Sequence, residues 1–152
     1  MGNIHRKKQK AKRRARRVAE AAWEAVDRSD LLKAEKTLRN VLKTRAGDCV
    51  LWNDLGLVLW RKGDLREAES ALRTAITLRP HYEDGKMNLS ALLASRGFYR
   101  QALRLEEEMA RSSSRSEFHH KMAEEYRQLA ETRSAALNAS AETGEGSSAR
   151  DG

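Results

Sequence analysis

The side chains able to do chemistry are few, and their spacing builds little. His120 and Glu124 stand one helical turn apart, a separation that can in principle hold a metal ion. A site needs more ligands than two, however, and Cys49, the single cysteine, lies far along the chain and completes no set. His5, His81 and His119 are scattered, with no Ser/His/Asp or Cys/His constellation and no glycine-rich phosphate loop beside them. The histidines, like the run Glu106-Glu107-Glu108, read as solvated helix surface. The sequence therefore predicts no enzyme, no metal and no cofactor.

Charge carries more information. Residues 1–17 contain nine cations (Arg6, Lys7, Lys8, Lys10, Lys12, Arg13, Arg14, Arg16 and Arg17) and no acid, while the other 135 positions hold 21 basic and 22 acidic residues. The formal net charge of +8 is thus a basic arm attached to a neutral body. Nucleic acid, ribosomal RNA included, is the natural polyanion for such an arm, because each neutralised phosphate releases counterions. The arm can equally extend the first helix, since its Ala, Lys and Arg are helix formers and no breaker comes before Ser29. Residues 138–152 are polar and rich in Gly and Ser, with little to bury, and predict a disordered tail. No stretch reaches the roughly 20 apolar residues of a membrane span, and no apolar segment follows the arm as a secretory signal requires. One cysteine allows no internal disulfide. A cytoplasmic location is the expectation.

The elements come from a repeat. Offset by 34 positions, small residues recur at Ala22, Gly56 and Ser90, alanine at Ala34, Ala68 and Ala102, and a larger apolar residue at Leu31, Leu65 and Tyr99. Ser29, Gly63 and Gly97 fall where helices would turn. In the middle unit Trp52, Leu55, Gly56 and Leu59 form one helical stripe, and Leu65, Ala68, Leu72, Ala75 and Ile76 form the next. Glycine inside a helix costs about 1 kcal/mol against alanine, so Gly56 implies close approach of a second helix through Ala68. Gly63 can end the first helix in the left-handed region, and Asp64 with Glu67 has the spacing of a capping box for the second. Pro80 stops that helix.

These residues resemble the tetratricopeptide-repeat (TPR) family: Trp52, Leu55-Gly56, Leu59, Gly63, Ala68, Leu72, Ala75 and Pro80 follow its W-x-x-L-G-x-x-Y…A-x-x-x-F…P pattern, with leucine for two aromatics. The flanking units depart from it, with Ala21-Ala22 for Leu-Gly and Ala46 for proline in the first, and Lys86, Glu106 and Ser114 in the third. The resemblance implies an all-α fold, a right-handed superhelical solenoid of three TPR helix-turn-helix hairpins (15–48, 49–82 and 83–116) behind an arm at 1–14. Glu106 would be strained at a core position of the family. Phe118, Met122, Tyr126, Leu129, Arg133 and Leu137 make a helical stripe without the family signature, read as a capping helix over 117–137.

The resemblance also implies a function, protein–protein interaction as an adaptor or scaffold. In the family the first helix of each hairpin lines a concave groove, and the matching positions are Trp23, Val26 and Asp27, then Val50, Asn53, Asp54, Leu57, Trp60 and Arg61, then Asp84, Met87 and Asn88. Trp23 and Trp60 either face this hollow or pack between repeats. Family members that grip the acidic C-terminus of heat-shock chaperones use Lys, Asn and Arg where Ala19, Trp23, Asp54, Asp84 and Asn88 stand here, and carboxylates would repel that ligand. A peptide or an amphipathic or basic helix suits the groove better. The alternative is a nucleic-acid- or ribosome-associated factor acting through the arm.

Overall fold

The computed structural model describes residues 30–144, with side chains through 141. The arm and the first helix expected over 15–28 lie outside the described residues. Among those described are six α-helices and no strand: α1 (Leu31–Leu42), α2 (Cys49–Lys62), α3 (Leu65–Leu78), α4 (Glu83–Ser95), α5 (Tyr99–Ser112) and α6 (Ser116–Gly144). The 34-residue repeat is visible in their starts, since Leu31, Leu65 and Tyr99 open α1, α3 and α5, and Cys49 and Glu83 open α2 and α4. The chain forms two compact units, one through Leu92 and one from Leu93.

In the first unit each boundary has a local cause. Asp30 caps α1 by accepting from the Lys33 amide at 3.0 Å. Asp48 caps α2, its Oδ1 accepting from the amides of Val50 at 3.1 Å and Leu51 at 3.4 Å. The Trp52 indole N–H donates to the Ala46 carbonyl at 2.7 Å, which ties the preceding loop to the helix it leads into. At the other end of α2, Gly63 has φ +93°, its amide donates to the Trp60 carbonyl at 3.0 Å, and the Asp64 amide donates to Leu59 at 2.9 Å. This pair of bonds is the left-handed stop expected from the glycine.

The close approach expected at Gly56 is present. A Cβ placed there would lie 2.7 Å from Leu72 Cγ and 3.2 Å from the Ala68 carbonyl oxygen, so only hydrogen fits between α2 and α3. Ala68, Leu72 and Ala75 are fully buried, as are Leu55 and Leu59 apart from a trace of surface. The capping box does not form. Asp64 stands at the N-cap of α3 but makes no side-chain cap bond; its carboxylate pairs instead with Lys62 Nζ at 2.7 Å, and Glu67 is taken by Arg39. Lys62 also reaches Glu35 of α1 at 2.6 Å and, with Arg39 beside it, holds the Glu35 carboxyl below its ordinary range. Cations of α1 (Arg39) and α2 (Lys62) displace the local cap.

In the second unit α5 and α6 form a hairpin. Its turn is held by Ser116 Oγ, which donates to the Ala110 carbonyl at 2.7 Å, and its start by Arg133, which donates to the Gly97 carbonyl at 2.7 Å. Gly97 (φ +78°) repeats the Gly63 stop, with Phe98 donating to Leu93 at 2.8 Å. The buried line of α6 is His119, Ala123 and Tyr126, whereas Phe118, Leu129 and Leu137 of the expected stripe are exposed. The stripe is rotated because a polar residue, His119, faces α5. Residues 138–144, expected as the beginning of a tail, continue α6. The stretch NASAE holds good helix formers and no breaker, so the helix propagates through it.

Candidate functional site

The described groove positions lie on α2 and α4 within the first unit. Val50, Asn53, Asp54, Leu57, Trp60 and Arg61 recur at three- and four-residue intervals along α2, so they share a face. Val50 (40% exposed) and Arg61 are exposed, and Leu57 and Trp60 are half-buried. On α4, Asp84 is exposed while Met87 and Asn88 are half-buried. Trp23, Val26 and Asp27, with the arm cations Arg6 to Arg17, lie outside the described residues.

Asn53 and Asp54 are not the open polar groups that the sequence suggests: they are 5% and 6% exposed. Asn88 Nδ2 donates to Asn53 Oδ1 at 2.8 Å, a bond that links α4 to α2. With its oxygen engaged in this way, Asn53 keeps its own amide hydrogens for Asp54, whose carboxylate it stabilises. The result is an ordered run of side chains, Asn88 to Asn53 to Asp54, crossing from one helix to the other. Burial nonetheless dominates at Asp54 and, with the Asp48 carboxylate adding to it, pushes the carboxyl up to about 6.

Tyr82, in the turn before α4, belongs to the same neighbourhood. Its hydroxyl is pushed up to about 12 by burial first, then by the charges of Asp84 and Asp54. Its ring fills the space over Gly85, where a Cβ would come within 2.7 Å of Cδ1, and Arg79 lies over the ring at 5.7 Å from its centroid. Sequence reasoning missed Tyr82, which has no periodic signal. It also passed over Asp48, although an aspartate immediately before an apolar helical run is a readable cap.

The histidines divide. His120 is exposed and its Nδ1 lies 2.8 Å from the Ser116 carbonyl, a local helix contact. His119, expected at the surface, is fully buried with its Nδ1 2.7 Å from Glu106 Oε2, and Glu106 is itself 3% exposed. The pair answers the strain expected at Glu106: the acid occupies a core position because α6 supplies its partner. Among the described residues no three His, Cys, Asp or Glu side chains gather as a metal site, and Cys49 is buried and outside any disulfide. No described helix is long and apolar enough to cross a membrane.

Paired helices closed by small residues, with a mixed apolar and amide face on the first helix of successive hairpins, define a helical-repeat protein. The chain belongs to the tetratricopeptide-repeat family, whose sequence pattern matches residues 19–83 and, in an overlapping second register, 53–117. Among curated proteins none matches at a significant level. Solved structures share the fold at low identity. The Sgt2 TPR domain from Aspergillus fumigatus is 13% identical over 80% of this chain and 82% of its own, with a TM-score of 0.71. The second TPR domain of human RPAP3, solved in complex with the HSP70 peptide SGPTIEEVD, is 11% identical over 72% of this chain and 92% of its own, with a TM-score of 0.63. A MamA double mutant is 19% identical over 75% of this chain, which spans 66% of that one, with a TM-score of 0.62.

Proposed function

We propose that this protein is an adaptor that binds a peptide or amphipathic helix of a partner protein on the α2–α4 face and catalyses nothing. The observation that carries the reading is the composition of that face. Val50, Leu57, Trp60 and Met87 leave apolar surface beside a preformed amide run, so a partner meets apolar contacts and fixed hydrogen-bonding geometry without the cost of ordering them. The family places its first helices on a binding groove, and RPAP3 offers a peptide complex on the same fold. The HSP70 peptide of that complex is acidic, whereas the acid exposed on this face, Asp84, disfavours an acidic segment here.

The test is retention of proteins from native lysate on the full-length chain, the Trp60→Ala chain and a chain lacking residues 2–17, with and without nuclease. A nuclease-resistant protein kept by the first and third and lost by the second supports the groove. Retention that disappears with the arm or with nucleic acid makes the arm the functional site and overturns the reading.

A further inference from the structure

We propose that one free side of α6 is a second docking surface, which takes a basic amphipathic helix of a partner protein across Phe118, Met122 and Leu129. It lies in the second unit and does not depend on the reading of the α2–α4 face.

The register of α6 shows which helix it stands in for. α1 buries Ala34, Leu38 and Leu42, and two repeats later α5 buries Ala102, Glu106 and Ala110. α2 buries Leu51, Leu55 and Val58, and at the same offset α6 buries His119, Ala123 and Tyr126. α6 is therefore seated on α5 as α2 is on α1, in the register of the first helix of a hairpin.

The two free sides of α6 differ in chemistry. On α2, Gly56 receives α3 and Leu59 is buried. The equivalents on α6 are Glu124 and Arg127, which pair with each other, and Arg127 also reaches Glu107 at 3.1 Å. The other side holds Phe118 (46% exposed), half-buried Met122, exposed Glu125 and Leu129 (38% exposed), at the positions of Val50, Asp54, Leu57 and Arg61 of α2. A helix that merely closed the hairpin would be polar on both sides. α6 is polar where α3 would lie and apolar where its equivalent carries the candidate groove. Phe118 is also held in place: its ring meets the His119 imidazole edge-on, with centroids 5.3 Å apart, and Glu106 holds His119. An aromatic anchor that is already ordered binds at a lower entropic cost.

Length and charge select the occupant. Phe118 to Leu129 spans three helical turns, about 16 Å, which a helix with one apolar stripe matches. Glu125 stands between Met122 and Leu129, and Glu117 precedes Phe118; both are exposed, and neither has a hydrogen bond or ion pair to a described residue. Against these two carboxylates stands Lys121, so this side keeps a negative charge. A lysine or arginine flanking the partner's stripe meets Glu125 while its stem extends the apolar contact, and an acidic segment is repelled. The chain's own arm has the charge, but over residues 1–17 Met1 and Ile4 are its only large apolar side chains, too few to cover three.

The probes are two synthetic amphipathic helices with the same leucine stripe and either lysines or glutamates on its flanks, titrated by NMR onto the isotope-labelled full-length protein. The variants are Phe118→Gln with Leu129→Gln, Glu125→Lys and Trp60→Ala, each verified as folded by circular dichroism. The expected result is that the lysine helix shifts the amides of residues 117–132. Its affinity for this surface should fall about tenfold in the double glutamine variant and about fivefold in Glu125→Lys, and stay unchanged in Trp60→Ala. No shifts on α6, or shifts there that survive the double glutamine variant, overturn the docking surface. A glutamate helix bound as tightly as the lysine helix overturns the charge assignment. Binding that only Trp60→Ala removes overturns this surface and leaves the α2–α4 face standing. Self-association of the free protein that the double glutamine variant abolishes makes a second copy the occupant and overturns the assignment to a partner.

Discussion

The two best-defined hairpins join their helices with different chemistry. Between α2 and α3 the contact is short, with Gly56 against the Leu72 side chain and the Ala68 backbone. Between α5 and α6 a carboxylate and an imidazole meet at 2.7 Å inside the hairpin, both essentially without exposed surface. The first resists added volume; the second resists the loss of a partner. Close packing can be relieved by small shifts, but a buried acid left alone has no such remedy, so the two hairpins should fail in different ways.

The largest effect expected is His119→Ala, which strands Glu106 and should cost about 3 to 5 kcal/mol in urea unfolding. Replacing both partners, as Glu106→Leu with His119→Phe, should restore most of that loss; if it does not, the pair supplies more than mutual compensation. Asp54→Asn should act in the opposite direction. The folded protein holds the Asp54 proton up to about 6 while the unfolded chain releases it near 3.8, so ionisation opposes folding above that window. The variant should gain roughly 2 to 3 kcal/mol at neutral pH. That gain should shrink as pH falls through 6 and vanish below 3.8, and thermal melts of both proteins across the window read it directly.

Gly56→Val tests the apolar hairpin itself. The added atoms press on Leu72 Cγ and the Ala68 carbonyl, and the expected loss is about 1 to 3 kcal/mol by denaturant titration. A loss near zero would mean that α2 and α3 separate easily and that the close approach is not a constraint. The smallest effect is expected at Leu137, which the apolar pattern of α6 places with the core but which is 62% exposed. Leu137→Gln should change stability by no more than about 0.5 kcal/mol.

The same contrast explains what could be read from the sequence. The α2–α3 hairpin was legible because its determinants are local or periodic: a glycine at a left-handed stop, small residues where backbones meet, and a proline at the exit. In the α5–α6 hairpin the stripe held Tyr126 but missed His119, which looks like a surface residue until α5 brings Glu106 against it. The Asp64 cap failed for a related reason, since Lys62 and Arg39 compete for the acids that would have made it. At the candidate site, the family resemblance pointed to Val50, Leu57, Trp60 and Met87, all of which keep exposed surface. It could not show that Asn53 and Asp54 are covered, because burial of a polar side chain depends on what the neighbouring helix brings, here Asn88.

The length of α6 gives one helix two rates of motion. It has 29 residues against 14 in α5, and from residue 135 to 141 every side chain is exposed. No side chain of that stretch is buried to hold the helix in place, whereas the turns around His119, Ala123 and Tyr126 open only when the hairpin does. Amide hydrogens should therefore exchange with solvent in a gradient along α6, fast near Ala139 and slow near Ala123. On warming, the helix should shorten from its C-terminal end inward, with helicity declining steadily before the cooperative transition begins.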